Sequence, residues 1–470
     1  MSAWLYILVW AATLLDQLAG IPRAGDAAGL LILLFLVMEF PRQRPYARVF
    51  FLGMAAIGIA GMVAAPDPFG LFLSAWRRGA AYAAFFLALG VLRDAAETSP
   101  LVRQCGRHLV AQPPGRRYVA LTSGGHVFGI ILSYGAIELL GAMVVRANTL
   151  AAAGGSEAVR RLRARRMLMA IYRGFAVMNC WSPLNIMTAV VSTAVPGAPM
   201  RLLLPIAFVT SVGMAALGWL DDRLSGARRV TATGARPVST ERWTIHLGIV
   251  ALVALVMLLA EATSVLLGIS LVTGVTLVVP LVGWGWLTVQ ALRFVRTRGI
   301  GFVLAMLARR LGRFRLRIPA FRGEANVLGI SGFVGVALGA ALPVGGFASV
   351  LAHLPPLAIP LLVPLLLMAS GQIGLNPVAM VAVLGAAIPD PASLGIPPAV
   401  LGFACMLGWG VGVSVTAMSA SAITTARWLG VSPFTVSTLW NARFTFAALM
   451  LAWVAITLLY LAWPACVVPG

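Results

Sequence analysis

Lysine is absent: all 35 basic side chains are arginine. Such one-sided codon use points to a GC-rich genome and hence to a bacterium. Acidic residues are few as well, 14 in 470, which leaves a formal net charge of +21. Only 10% of the chain is charged, against about 25% in soluble domains, so an ordinary soluble protein is excluded. The arginines lie in short stretches between apolar runs. That is the pattern of membrane orientation and not of nucleic-acid binding. The four cysteines (Cys105, Cys180, Cys405, Cys466) are far apart and form no CxxC pair. A disulfide framework and a cysteine-based metal site are therefore not expected. The histidines His108, His126, His246 and His353 do not cluster in sequence, and GxSxG, HExxH and Walker A motifs are missing. No enzyme, metal centre or cofactor is expected, apart from a sodium ion as a coupling ion.

What remains is apolar. Hydrophobic residues make up 60% of the chain and the mean hydropathy is +0.94, as in an all-α polytopic membrane protein. The first run, Trp4 to Ala19, has no basic segment before it and no convincing cleavage site, so it reads as a span and not as a removed signal. Further runs fall at 27–40, 49–66, 70–92, 202–220, 244–267, 269–291, 326–342 and 446–463. Arg42, Arg44 and Arg48 follow the second run, and five arginines lie between Arg93 and Arg117. The positive-inside rule makes both stretches cytoplasmic, and with them the N-terminus. Nine arginines and no acid lie between Arg293 and Arg322. The middle of that stretch, 302–311, reads as an amphipathic helix lying on inner-leaflet lipid.

Two polar, glycine-rich stretches interrupt apolar runs too short to span a bilayer alone. Ser370-Gly371-Gln372-Ile373-Gly374-Leu375-Asn376-Pro377 joins 357–369 to 378–388. Ser123-Gly124-Gly125-His126 leads into 127–140, inside a segment of 118–145 flanked by cytoplasmic arginines on both sides. Each reads as a re-entrant helical hairpin with its tip in the protein interior, because lipid offers no partner to freed backbone groups. Each is followed by an interrupted helix, at Trp181-Ser182-Pro183-Leu184-Asn185 and at Ser419-Ala420-Ser421-Ala422-Ile423-Thr424-Thr425. The order recurs in both halves with opposite sidedness. The expected fold is thus two inverted repeats, each with a re-entrant hairpin and a broken helix. The division is 1–66 for N-terminal scaffold helices, 67–220 for the first repeat, 221–243 for a cytoplasmic linker and 244–470 for the second repeat, whose hairpin is 357–388.

This order of segments resembles the ion transporter superfamily, which includes divalent anion–sodium symporters, arsenite permeases and the large membrane subunits of tripartite carboxylate transporters. The resemblance covers the chain from about residue 70 onward. The Ser-Asn-Thr signature of the carboxylate symporters is replaced here by Ser123-Gly124-Gly125 and Ser370-Gly371-Gln372, with Asn376-Pro377 just after. The resemblance implies a homodimer in a bacterial inner membrane and an elevator-like carrier of a small anion, an organic carboxylate first, coupled to sodium or protons.

Half-helix N-termini favour an anion at the breaks. The candidate substrate-binding residues are Ser123, Gly124, Gly125, Ser182, Asn185, Ser370, Gln372, Asn376, Ser419, Ser421 and Thr424. For ion coupling the candidates are Gly371 and Gly374 through their carbonyls, Thr188 and Thr425 through their hydroxyls, and His126 through a titrating ring. Arg173 either faces an anion or snorkels to the inner interface, Glu138 lies in the first hairpin, and Glu261 near an outer interface. The competing readings are a permease subunit that needs a separate binding protein and a membrane enzyme acting on a lipid-linked substrate. Short, nearly uncharged external connectors argue against the enzyme.

Overall fold

The computed structural model describes residues 2–63, 65–225, 242–341 and 353–466. Most of the expected linker (226–241) and most of the connector before the second hairpin (342–352) lie outside the described residues. Every regular element among the described residues is helical. Proline opens many of these helices, where its missing N–H is not needed and its fixed φ suits the first turn: α2 (Pro22–Glu39), α3 (Pro45–Met62), α4 (Pro68–Glu97), α5 (Pro100–Val110) and α6 (Pro114–Leu132). Among the described residues, ten helices are long and apolar enough to cross a membrane. The chain is a multi-pass membrane protein.

The apolar core falls into two clusters. In the smaller, α1 (Ser2–Ala19), α2, α3 and α4 pack with α14 (Arg322–Ala341) from the far end of the chain. Tyr6, Phe35, Trp76 and Phe333 fill it, and Tyr6 donates from its hydroxyl to the Ala83 carbonyl at 2.9 Å. Gly79 and Gly332 let α4 and α14 meet backbone to backbone; a methyl group on Gly332 would lie 2.7 Å from the Gly79 Cα. The larger cluster holds α6 and α7 (Gly135–Ala147), α8 (Glu157–Met178), α9 (Ile186–Ala194), α10 (Met200–Leu224), α11 (His246–Leu267) and α12 (Leu271–Leu292). It also holds α15 (Ala358–Gln372), α16 (Pro377–Ala387), α17 (Pro398–Val415), α18 (Ala420–Leu429) and α19 (Ala442–Cys466). Of the long apolar stretches, 398–429 is the most enclosed, 94% buried, whereas that of α11 is 28% buried and faces outward.

The arginine-rich stretch 293–322 contains α13 (Val295–Arg317), kinked at Gly299. Its Ile300, Leu304, Leu311 and Leu316 are exposed beside its arginines, the composition of a helix lying at an interface. The basic region 93–117 is not a plain loop, since α5 lies within it. Helix α8 opens on the cap of Ser156, and hydrogen bonds from Arg160 and Arg161 hold the Glu157 carboxyl down to about 2.

The first hairpin turns at a different place from the one read in the sequence. Ser123, Gly124 and Gly125 lie inside the unbroken helix α6, and the chain reverses at Ser133-Tyr134, where Ser133 has φ 52°. Glycine in a membrane helix also serves close approach, and here that use prevails. A side chain on Gly125 would run into the Ile171 carbonyl of α8, and one on Gly174 into the Thr122 carbonyl of α6. The second hairpin turns where expected, between α15 and α16, with Gly374 at φ 82°.

Candidate substrate site

Helices α8 and α17 cross at Gly410, where a side chain would strike Cys180. Each helix then breaks. The first break, 179–185, joins α8 to α9, and the second, 416–419, joins α17 to α18. Breaking a helix leaves its last carbonyls and the next helix's first N–H groups without partners. The two breaks meet that demand differently.

The second break is satisfied from outside. The Tyr172 hydroxyl, on α8, donates to the carbonyls of Val413 (2.9 Å) and Ser414 (3.1 Å). Asn441 Nδ2, ahead of α19, also donates to Ser414 at 2.7 Å. Gln372, at the tip of the second hairpin, donates to Val415 at 2.8 Å. Gly371 makes that approach feasible, because a side chain there would strike the Thr416 hydroxyl. Ser419 caps α18 by accepting from Ala422 N at 3.1 Å.

The first break is satisfied mainly from within. Asn179 Nδ2 donates to Phe175 O at 2.7 Å, and Asn185 Nδ2 donates to Asn179 Oδ1 at 2.6 Å. Asn185 Oδ1 caps α9 by accepting from Met187 N at 2.9 Å. The Thr188 hydroxyl closes the loop onto Ser182 O at 2.9 Å. One group stays over: Ser182 is fully buried, and its hydroxyl has no partner among the described residues. His126 reaches this break, accepting at Nε2 from Trp181 Nε1 at 2.8 Å.

The structure therefore gathers Ser182, Asn185, Thr188 and His126 at the first break, and Gly371, Gln372 and Ser419 at the second. Ser370 donates to Leu367 O at 3.0 Å within its own helix, and Asn376 caps α16 by accepting from Val378 N at 2.9 Å. Both sit at the second hairpin's turn. The second break ends at Ser419 and does not run across 419–425: Ser421, Thr424 and Thr425 lie in α18, where Thr425 donates to Ser421 O at 2.8 Å. Ser123 is exposed, and Gly124 packs on Leu109, so neither reaches a break. Reading the first tip from glycine alone overlooked Ser133-Tyr134-Gly135, a short polar interruption between apolar runs. Asn179 and Thr416, the break residues that sequence reasoning missed, carried a weaker signal, a lone polar group at the end of an apolar run.

The ionisable groups nearby are structural. Arg173 neither snorkels nor faces an open site. It donates to Asn441 Oδ1 (2.7 Å), the Tyr118 hydroxyl (3.2 Å) and Gly218 O (3.2 Å), and pairs with Asp221 at 2.8 Å. Glu138 pairs with Arg427 and accepts from Thr424 at 3.4 Å, tying α7 to α18. Glu261 pairs with Arg201 at 2.8 Å, both half-exposed. Two histidines distant in sequence do meet: His108 Nδ1 lies 3.0 Å from His246 Nε2. Among the described residues, no group of three or more His, Cys, Asp or Glu is placed to hold a metal ion.

Two antiparallel helices, each broken beside a short hairpin, recur in secondary-transporter folds. The chain has the fold of a membrane transporter. It superposes on the YdaH transporter of Alcanivorax borkumensis, described as having an unusual topology, with a TM-score of 0.51 and 17% sequence identity, over 82% of this chain and 85% of that one. No protein-family model matches the sequence, and no curated protein does.

Proposed function

We propose that the protein is a secondary active carrier of a small anion, an organic carboxylate first, driven by a sodium or proton gradient across a bacterial inner membrane. The observation that carries this reading is the pair of breaks. Neither 179–185 nor 416–419 contains a carboxylate or a basic side chain. A neutral, discontinuous backbone, buried at the first break and partly open at the second, offers N–H groups at the starts of α9 and α18 to an anion. It also offers carbonyls and the spare Ser182 hydroxyl to a cation. Substrate residues in this reading are Ser182, Asn185, Gln372, Asn376 and Ser419, with Thr188, Gly371 and Gly374 near the coupling ion. The likeness in segment order to the ion transporter superfamily supports the same reading. So does the order of hairpin and broken helix that recurs in the two halves; if the halves are inverted repeats, it suits an elevator-like motion, which we propose takes place in a homodimer.

The test is uptake of labelled dicarboxylates and monocarboxylates into proteoliposomes under an imposed sodium or proton gradient. Gradient-driven uptake that is lost in Gln372→Ala and Ser182→Ala is the expected result. Folded wild-type protein that moves none of these anions overturns the reading, and a separate binding protein is then the first thing to add.

A further inference from the structure

Arg93 lies near the C-terminal end of α4 and is 7% exposed. Burying a guanidinium is costly unless something compensates its charge. Among the described residues no carboxylate lies within ion-pair distance of it; the neighbouring Asp94 and Glu97 are both held by Arg317 at 2.8 Å. Arg93 is instead sandwiched between two rings, its Cζ 5.4 Å from the centre of Phe86 and 5.2 Å from that of Tyr134, a cation–π geometry. Tyr134 is the turn of the first hairpin. Its hydroxyl donates to Glu324 Oε1 of α14 at 3.2 Å. One tyrosine thus bridges a buried cation on α4 and a carboxylate on α14, the two helices that pack most closely in the N-terminal cluster. The residue before it, Ser133, is the one non-glycine residue with positive φ among the described residues (φ 52°, ψ −139°). A serine in that conformation is strained and persists because its surroundings hold it.

We propose that Arg93, Tyr134 and Glu324 form a latch that holds the first hairpin's tip against α4 and α14 in this conformation, and that its release is a step of the transport motion. The second clause rests on the carrier reading. The strain at Ser133 favours release and the Tyr134 contacts oppose it, so the tip is poised between two positions. Release also strips Arg93 of the Tyr134 ring and leaves its charge to water or to an anion.

The latch is tested by hydrogen–deuterium exchange of the full chain in nanodiscs, read at the amides of 129–135. Tyr134→Phe keeps the ring and removes only the hydroxyl; Glu324→Gln removes the charge. Tyr134→Phe is expected to speed exchange at the tip about tenfold, the effect of one hydrogen bond to a charged group, and Glu324→Gln, whose amide oxygen still accepts, by less. The double variant is expected to go no further than the faster single, as for two partners of one contact. Unchanged exchange in Tyr134→Phe, additive effects, or faster exchange throughout the protein overturns the latch. In proteoliposomes the same variants are expected to change the turnover rate by at least about twofold with KM unchanged, as when a conformational step and not binding is altered. Unaltered turnover overturns its role in transport. Wild-type protein that takes up nothing, while the variants still loosen the tip, removes the carrier reading and leaves the latch standing.

Discussion

Ser182 and Gln372 respond to truncation in different ways. The Ser182 hydroxyl has no partner among the described residues, so Ser182→Ala is expected to leave thermal stability within about 2 °C, in line with less than 0.5 kcal/mol lost. Its effect belongs in uptake alone, as a fall of about tenfold or a weakened dependence on the coupling ion, the scale of one hydrogen bond to a charged group. Gln372→Ala removes a donor from the Val415 carbonyl, although the Thr438 hydroxyl still reaches that oxygen at 3.3 Å. It is expected to cost about 1 kcal/mol of stability as well as uptake. A thermal melt of each purified variant beside its uptake rate separates the two. Arg173 presents a harsher case. Arg173→Ala leaves the Asp221 carboxylate and Asn441 without their partner, a loss of about 3–5 kcal/mol for a buried pair. Little folded protein is expected on size-exclusion chromatography, and Arg173→Ala with Asp221→Ala is expected to recover part of the yield.

At the level of helices, the close crossing of α6 and α8 sets how much of the fold could be read in advance. Apolar runs and arginine-rich connectors gave spans that the structure places within a few residues. The second hairpin's turn was legible because Gly374 needs a positive φ and Asn376-Pro377 starts the next helix there. Ser123-Gly124-Gly125 misled, because glycine that admits a neighbouring backbone looks in sequence like glycine that breaks a helix. The distinction rests on residues about fifty positions away, Ile171 and Gly174, which no local pattern reveals. Gly125→Val is therefore expected to destabilise the protein by more than about 2 kcal/mol by forcing α6 off the Ile171 carbonyl. Gly115→Ala, at a position with nothing within 4 Å, is expected to be neutral in the same melt. The residues at the breaks and at the second hairpin's turn were legible where they cap a helix, as Asn185, Asn376 and Ser419 do. They were not legible where a distant side chain supplies the partner, as Tyr172 and Asn441 do for the second break.

For the whole molecule, the arginine distribution makes a sidedness prediction. Single cysteines in place of Ser156 and Ser393 are expected to react with an impermeant maleimide from opposite sides, Ser156→Cys only after the cells are opened and Ser393→Cys from outside. The reverse pattern, or labelling of both from one side, overturns the assigned orientation.

The neutrality of the two breaks bears on membrane voltage. Each elementary charge moved through a field of 100 mV gains or loses about 2.3 kcal/mol. On the proposed carrier reading, 179–185 and 416–419 themselves bring no acidic or basic side chain to the return of an empty carrier, and His126 is the titratable ring that reaches the first break. On that reading, charge displaced at those positions enters with the cargo and its coupling ion, a proton on His126 included, and the electrical work at the breaks then falls on the loaded half of the cycle.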